Sequence, residues 1–355
     1  MMPALAAVQD ANQGVALALF VCGVIASAAL TALARRYAMR RELLDLPGQR
    51  RSHALPTPRG GGAGPVLVLL AGGVLLFAFD SASQPELGIC LFGLAAVAGI
   101  GWFDDHRPQS AWLRLAVHLI AALMASIALI GIPHTPMQFA SIALSTVVAA
   151  GFVNAWNFMD GIDGLAASQA NLVAVIVLVG SLFAGWLGGA WWSFALLLFA
   201  ATLGFLPFNV PRARIFLGDV GSGALGFVVA CLLLRSVVAG GLSWPVALLP
   251  ASAFLIDSGM TLLQRFVRGK PWWRPHREHL YQWLVRSGRS HIHVTVCYAL
   301  WTLAAGALAL ALARSSPAVG GWITGTALLC GSLFWMWLRN RLWMAARHRP
   351  RHHHR

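Results

Sequence analysis

Residues 293–313 read HVTVCYALWTLAAGALALALA and contain no aspartate, glutamate, lysine or arginine. An apolar stretch of this length matches the roughly 20 residues that an α-helix needs to cross a bilayer. The whole chain is similarly apolar, since only 11% of its 355 residues are charged, against about a quarter in a typical soluble domain. So few charged residues cannot form the surface of a water-soluble protein. The sequence therefore predicts a protein that is embedded in the membrane.

Comparable apolar stretches recur along the chain and predict an all-α, polytopic membrane protein with about eleven transmembrane helices. The predicted spans are 14–34, 60–79, 87–103, 113–132, 137–153, 169–187, 191–209, 221–239, 244–265, 293–313 and 318–338. We expect a single transmembrane domain over 1–338, with the functional loops between its spans, followed by a basic cytoplasmic tail over 339–355.

Basic residues divide the connections between the spans into two sets. All 26 lysines and arginines except Arg235 and Arg314 fall in the connections of one side or at span ends that face them. Because cytoplasmic loops are enriched in Lys and Arg, this asymmetry predicts an external amino terminus and a cytoplasmic carboxyl terminus. The same rule explains the net charge of +14, which is therefore no reason to expect nucleic acid as a partner.

Five aspartates lie at span ends on the predicted cytoplasmic side. They are Asp104, Asp105, Asp160, Asp163 and Asp219. Any one of them could be a helix cap or a loop charge. Five in one cleft would repel one another unless a cation neutralised them, and oxygen ligands without sulfur or imidazole suit Mg²⁺. We therefore expect this face to bind a magnesium-bound phosphate substrate.

A regular polar pattern runs through the connection between the fifth and sixth spans. Asn154, Asn157, Asp160 and Asp163 recur at every third residue. This spacing keeps them near one face of a helical or 3₁₀ turn. Such a stripe can bind a sugar, a base or a hydrated metal, and the alternative is an Asx-rich turn.

The first cytoplasmic connection holds candidate phosphate ligands. Arg51, His53 and Arg59 stand among prolines and lead into the glycines 60–62. Arginines framed by turn residues, followed by a glycine-rich helix start, are typical of a phosphate or pyrophosphate cradle. The usual enrichment of basic residues beside the cytoplasmic ends of membrane spans explains the arginines equally well. It does not explain the prolines and glycines.

The last large cytoplasmic connection contains Arg277 and His279. If it is helical, His276, His279, Leu280 and Trp283 share one face. One interpretation is an interfacial helix, and the other is a cationic cluster that closes over a nucleotide diphosphate.

Asp257 lies well inside the ninth predicted span. An intramembrane carboxylate is a functional candidate by default. We expect it to pair with Arg265 or Arg268, two or three turns further along, instead of taking part in catalysis.

Taken in this order, the motifs resemble those of the polyprenyl-phosphate N-acetylhexosamine-1-phosphate transferases of glycosyltransferase family 4. That family also includes the muramoyl-pentapeptide transferase of peptidoglycan synthesis. The resemblance covers nearly the whole chain. It rests on Asp45-x-Pro47, Arg51-x-His53, Pro58-Arg59-Gly60-Gly61, Asp104-Asp105, Asn157-Phe-Met-Asp160-Gly-Ile-Asp163-Gly164-Leu-Ala166, Phe216-Leu-Gly-Asp219-Val-Gly221-Ser222 and Arg277-Glu278-His279.

The resemblance implies a role for each matching residue. The implied catalytic residues are Asp104, Asp105, Asp160 and Asp163, of which the first two would activate or position a lipid phosphate. The implied metal ligands are Asp219 and Asp160, with Mg²⁺ as cofactor or Mn²⁺ in its place. The implied substrate-binding residues are Arg51, His53, Arg59, Asn154, Asn157, Arg277 and His279.

Two departures from the family pattern refine this expectation. Tyr281-Gln282 replaces a run of histidines found in members of the enterobacterial common antigen type, which favours the branch that starts O-antigen or capsule chains. Arg114 stands where many members carry lysine, and we assign it no catalytic role. The triple-histidine loop of the muramoyl-pentapeptide enzyme is absent.

We therefore expect transfer of an amino-sugar 1-phosphate from a UDP-sugar to undecaprenyl phosphate, with release of UMP. The protein would act in the bacterial inner membrane as a monomer or homodimer, starting lipopolysaccharide O-antigen or another envelope glycan. The alternative within this enzyme class is a peptidoglycan-type sugar-peptide donor. A lipid or solute transporter is the alternative from a different class, and it would place charges near the bilayer midplane, where only Asp257 lies.

Overall fold

A computed structural model of the chain describes residues 2–45, 56–80, 84–185, 187–271, 274 and 276–347. In these residues the chain forms twelve α-helices and one small hairpin. The helices are α1 Met2–Arg40, α2 Ala63–Asp80, α3 Pro85–His106, α4 Ala111–Ile130, α5 Pro136–Met159, α6 Leu165–Ala184, α7 Ala190–Asn209, α8 Asp219–Val238, α9 Ser252–Val267, α10 Leu280–Arg286, α11 His291–Leu312 and α12 Pro317–Arg347. The antiparallel strands β1 Leu44–Asp45 and β2 Thr57–Pro58 form the hairpin.

The helices confirm the predicted fold class, a polytopic all-α membrane protein. Among the described residues, 10 helical segments are long and apolar enough to cross a membrane, and one of them joins a 3₁₀ turn, Val246–Ala251, to α9. The apolar part of α2, Ala63–Phe79, is a shorter helix of the same character. Helix α10 is a short helix in the connection between α9 and α11.

Helix α8 forms the centre of the bundle and is buried along nearly its whole length, whereas α1 and α12 expose most of theirs. Glycines let its neighbours approach closely. A Cβ on Gly62 would lie 2.3 Å from Gly221 Cα, and a Cβ on Gly101 would lie 2.4 Å from the Asp219 carbonyl oxygen. The start of α8 is thus held against the start of α2 and the end of α3.

The connections predicted to share one side do converge at one end of the bundle. The Phe216 N–H donates to the Pro58 carbonyl at 2.8 Å, and the Gly61 N–H donates to the Phe216 carbonyl at 2.9 Å. Tyr281 Oη donates to the Phe158 carbonyl at 3.1 Å. Four connections that are distant in sequence therefore meet around the start of α8.

The bounds of several helices differ from the predicted spans. Helix α1 begins at Met2 instead of residue 14, and helix α12 continues to Arg347, past the predicted end of the last span at 338. Within this extension Arg339 is buried against the Trp283 ring, with its guanidinium carbon 4.0 Å from the ring centroid. Helix α10 begins only at Leu280. The predicted shared face of His276 and His279 on one helix is therefore wrong.

Candidate active site

Three charged side chains from three helices meet at this end of the bundle. Asp104 lies in the last turn of α3, Arg114 in the first turn of α4 and Asp219 at the start of α8. Arg114 Nη1 donates to Asp104 Oδ2 at 2.8 Å and to Asp219 Oδ2 at 2.6 Å. One guanidinium thus neutralises two carboxylates. All three side chains remain partly exposed, at 29% for Arg114, 16% for Asp104 and 29% for Asp219.

Asp105 fixes the start of α8 against α3. Its Oδ1 accepts the backbone N–H of Asp219 and its Oδ2 accepts that of Val220, both at 3.1 Å. The first amides of a helix have no partner within the helix, so Asp105 caps α8 from a neighbouring element. Asp105 is only 3% exposed. Of the predicted aspartate pair, Asp104 therefore faces the open side and Asp105 holds Asp219 in place.

Asp160 joins this cluster from the end of α5, where it is the C-cap residue. Its carboxylate lies near the backbone N–H of Gly218, which favours the charged form. Burial, and then the negative charges of Asp219 and Asp105, raise the pKa of the Asp160 carboxyl well above its usual range. The structure therefore brings together four of the five predicted aspartates.

Gly218 makes this close arrangement possible. Its φ of +75° lies in the region that favours glycine. A Cβ at this position would lie 2.6 Å from Asp105 Oδ2 and 2.8 Å from the Gly60 nitrogen. No other residue type fits there without displacing the Asp105 carboxylate.

The asparagines of the predicted stripe point to different partners. Asn157 Nδ2 donates to Ser222 Oγ of α8 at 3.1 Å. Asn154 Nδ2 donates to the Ala150 carbonyl of its own helix at 2.7 Å. Asn157 is therefore directed to the same helix as the aspartate cluster, whereas Asn154 is bonded within α5.

Asp163 occupies a separate position between α6, α7 and α11. Its Oδ1 lies 3.1 Å from His291 Nδ1, and its Oδ2 accepts the Ala213 N–H at 3.3 Å. Beside it lies a cavity of about 640 Å³ whose lining also includes Arg212 and Arg214. Asp163 is thus not part of the Asp104–Arg114–Asp219 group, and it faces a cavity of ligand size instead.

The connection before α10 packs on the end of α5 beside Asp160. The His279 ring is stacked on the Phe158 ring with 5.9 Å between centroids. Burial lowers the pKa of His279, and burial together with the neighbouring His279 lowers the pKa of His276 to about 4. Both rings are therefore neutral near pH 7. Arg277 lies close enough to Tyr281 to act on its phenol electrostatically.

The connection between α1 and α2 reaches the cluster through one arginine. Arg59 Nη2 donates to the Asp105 carbonyl, and Arg59 Nε is buried without a hydrogen-bond partner. The predicted ligands Arg51 and His53 lie outside the described residues.

The carboxylates of Asp104 and Asp219 could serve as ligands of a divalent cation. Asp104 and Asp219 already converge on one positive charge, that of Arg114. Among the described residues, no group of three or more His, Cys, Asp or Glu side chains could hold a metal ion by itself. Mg²⁺ typically binds through one or two carboxylates, its own waters and the phosphates of a substrate, so the two carboxylates fit a metal that arrives with its substrate.

The structure shows two features that sequence reasoning missed. Arg114, to which no role was assigned, is the cation between Asp104 and Asp219. The expected pairing of Asp257 with Arg265 or Arg268 is wrong. Arg265 Nη1 pairs with Glu278 Oε1 at 2.6 Å, and the Asp257 carboxylate accepts hydrogen bonds from α10, α11 and α12. The only signal in the sequence was that Arg114 follows the aspartate pair at the start of the next span.

The chain is similar to known proteins over most of its length. Residues 87–237, which include all four clustered aspartates, match the model of glycosyl transferase family 4. The chain is 27% identical to a probable undecaprenyl-phosphate N-acetylglucosaminyl 1-phosphate transferase of Bacillus subtilis over 79% of this chain and 80% of that protein. It is 29% identical to a decaprenyl-phosphate N-acetylglucosaminephosphotransferase of Mycobacterium leprae, over 76% of this chain and 77% of that one.

A third relative covers more of the chain. The undecaprenyl-phosphate alpha-N-acetylglucosaminyl 1-phosphate transferase of Salmonella typhi is 28% identical over 89% of this chain and 88% of its own length. The family match over residues 87–237 and these relatives support the resemblance found in the motifs: the chain is similar to members of glycosyl transferase family 4.

Proposed function

We propose that this protein transfers an amino-sugar 1-phosphate from a UDP-sugar to undecaprenyl phosphate at the cytoplasmic face of the bacterial inner membrane, releasing UMP. The observation that carries the proposal is the meeting of Asp104, Arg114 and Asp219 at one end of a membrane-spanning bundle, in a chain whose relatives are named for this type of transfer. The position suits a reaction between a lipid phosphate and a water-soluble donor.

In the proposed reaction an oxygen of the lipid phosphate attacks the phosphorus that bears the sugar. A new P–O bond forms there, and the bond from this phosphorus to the oxygen of UMP breaks. The products are a polyprenyl diphosphate sugar and UMP. Phosphoryl transfer asks a protein mainly for positioning and charge neutralisation, and charged groups fixed at helix ends supply both.

Asp104 and Asp219 are the residues that would hold Mg²⁺, or Mn²⁺ in its place, with Asp160 beside them. When bound, the metal would neutralise the diphosphate of the donor and the charge that develops on leaving UMP. Asp105 keeps Asp219 in position through the two amides that it caps. Arg114 adds a fixed positive charge for the phosphates of both substrates.

Asp160 is the best candidate to accept a proton from the lipid phosphate. Burial raises the pKa of its carboxyl group above the ordinary value, and a carboxylate with a raised pKa is a stronger base. In the proposed arrangement the donor nucleotide would enter the cavity beside Asp163, where Arg212 and Arg214 offer positive charge.

The replacement of a histidine run by Tyr281 and Gln282 supports a donor used to start O-antigen or another envelope glycan. Tyr281 is fully buried and its hydroxyl is bound to the Phe158 carbonyl. The Tyr281 phenol is therefore part of the packing at the end of α5 and does not itself face the donor's sugar.

The proposal is tested by UMP release from protein purified in detergent. The reactions would contain undecaprenyl phosphate, Mg²⁺ and, one at a time, a panel of UDP-N-acetyl sugars and UDP-muramoyl-pentapeptide. We expect UMP only when lipid and Mg²⁺ are both present, and only with one or a few amino sugars. Release with the pentapeptide donor alone would favour the peptidoglycan-type reaction, and release with none of these donors would contradict the proposal.

A further inference from the structure

Asp257 is a buried carboxylate that the proposed mechanism does not use. It lies in α9 within a membrane-spanning segment and is 1% exposed. A carboxylate at this depth is costly unless donors satisfy it. The five donors that surround it come from four helices, and they explain why it is retained there.

Two of these donors are the first amides of α10. The Leu280 N–H donates to Asp257 Oδ1 at 2.7 Å, and the Tyr281 N–H donates to Oδ2 at 3.2 Å. Helix α10 lies in the cytoplasmic connection, so a membrane-embedded side chain caps a loop helix.

The remaining donors fix the carboxylate itself. Tyr298 Oη of α11 donates to Oδ2 at 2.7 Å, and Trp335 Nε1 of α12 donates to Oδ1 at 2.9 Å. Thr261 Oγ1 of α9 lies 3.3 Å from Oδ1. A carboxylate offers about four lone-pair sites, and all of them are used here. Asp257 therefore cannot shift without breaking several hydrogen bonds.

The docked start of α10 determines where the neighbouring side chains lie. Tyr281 packs so closely on Gly161 that a Cβ there would lie 2.0 Å from the phenol oxygen. His279, directly before the capped amides, stacks on Phe158. Both contacts are made at the end of α5, next to Asp160.

We propose that Asp257 is a positioning residue: by capping α10 it holds His279 and Tyr281 against the end of α5, and so shapes the donor side of the active site. The role rests on the proposed function for its catalytic consequence. The docking itself does not depend on any activity.

Two substitutions separate positioning from a general contribution to stability. Asp257→Asn replaces one acceptor oxygen with a donor group and removes the charge, so it should release one of the two α10 amides and weaken the bond to the other. Tyr298→Phe is the matched control, since it deletes a hydrogen bond to the same carboxylate but leaves both amides capped. If Asp257→Asn does not fold, Asp257→Glu replaces it, because the added methylene displaces the cap while the charge is retained.

The first measurement is hydrogen–deuterium exchange of the segment around Leu280 and Tyr281 in the full-length protein, in detergent and without substrates. Capped amides exchange only after local opening. We expect about tenfold or faster exchange in Asp257→Asn, in keeping with the loss of hydrogen bonds to a charged acceptor, and less than about threefold in Tyr298→Phe. Equal exchange in the two variants would overturn the proposal.

The second measurement is UMP release at varied donor and varied lipid concentrations. We expect Asp257→Asn to raise the KM for the UDP-sugar about tenfold or more, with a smaller change in the KM for undecaprenyl phosphate, and Asp257→Glu to recover part of the loss. Equal losses for both substrates, in proportion to the fall in Tm and matched by Tyr298→Phe, would show a merely structural role. Absence of UMP from the unmodified protein would count against the proposed function, and the exchange result would still decide the docking.

Discussion

Replacing Arg114 with methionine removes the cation between Asp104 and Asp219 while keeping an unbranched side chain of moderate length. Both carboxylate oxygens lie within 2.8 Å of the same nitrogen, so they can be at most about 5.6 Å apart. Two unit charges roughly 5 Å apart repel by about 3 kcal/mol at an effective dielectric constant of 20. The variant leaves this repulsion uncompensated until another cation binds.

Solvent access and salt weaken this repulsion, because both carboxylates are partly exposed. We therefore expect about half of it, roughly 1.5 kcal/mol, to appear as tighter binding of Mg²⁺, which corresponds to about tenfold in Kd. The assay is titration of the substrate-free protein in detergent with MgCl₂, followed by calorimetry and by the shift in Tm.

Arg107→Met serves as the control, since Arg107 is an exposed arginine at the end of the same helix as Asp104. Its loss should leave the Mg²⁺ affinity within about twofold, because an exposed charge is screened. Unchanged or weaker Mg²⁺ binding in Arg114→Met would refute the argument that Arg114 compensates the repulsion between Asp104 and Asp219.

Two further predictions concern the same cluster. Gly218→Ala should lower activity at least tenfold and destabilise the fold by roughly 1–3 kcal/mol, because alanine is strained at a φ of +75° and its Cβ would meet Asp105; enzyme assays and thermal unfolding measure both effects. The Mg²⁺ concentration needed for half-maximal activity should rise as the pH falls through the raised pKa of Asp160, since protonation removes a negative charge from the cluster, and a pH series of Mg²⁺ titrations measures this.

Each of these predictions has its own control. Gly99→Ala adds a Cβ where no atom lies within 4 Å, so it should change neither activity nor Tm appreciably. An equal loss of activity in both alanine variants would contradict the explanation that a Cβ at residue 218 displaces Asp105. Asp160→Asn cannot titrate, so its Mg²⁺ requirement should vary less with pH. If its pH profile matched that of the unmodified protein, another group would be responsible.

The helical membrane architecture was predictable because it depends on features that are local in the sequence. Each span is an apolar stretch long enough to cross the membrane, and the lysines and arginines that flank it indicate on which side each connection lies. The structure accordingly brings Asp104, Asp105, Asp160 and Asp219 to one end, as their positions at span ends indicated.

The contacts of individual side chains depend on which helices pack together, and the hydrophobic pattern of the sequence does not predict that packing. The function of Arg114 follows from the contact between the starts of α4 and α8, which are far apart in sequence. Asp257 was expected to pair with Arg265 or Arg268 along its own helix, but its carboxylate accepts the first two amides of α10. The packing of Arg339 of α12 on Trp283 likewise joins residues that are far apart in sequence.

The most direct test of the central claim is UMP release by the Asp219→Asn protein with undecaprenyl phosphate, Mg²⁺ and the active UDP-sugar. Glu86→Gln is the matched control. Glu86 lies at the end of α3 that is opposite to Asp104, and its carboxylate accepts the Trp191 indole N–H. We predict that Asp219→Asn loses at least about a hundredfold in kcat while remaining folded, as expected for the loss of a charge stabilising a phosphoryl transition state, and that Glu86→Gln retains most activity. Near-normal UMP release by Asp219→Asn would contradict the assignment of this cluster as the active site.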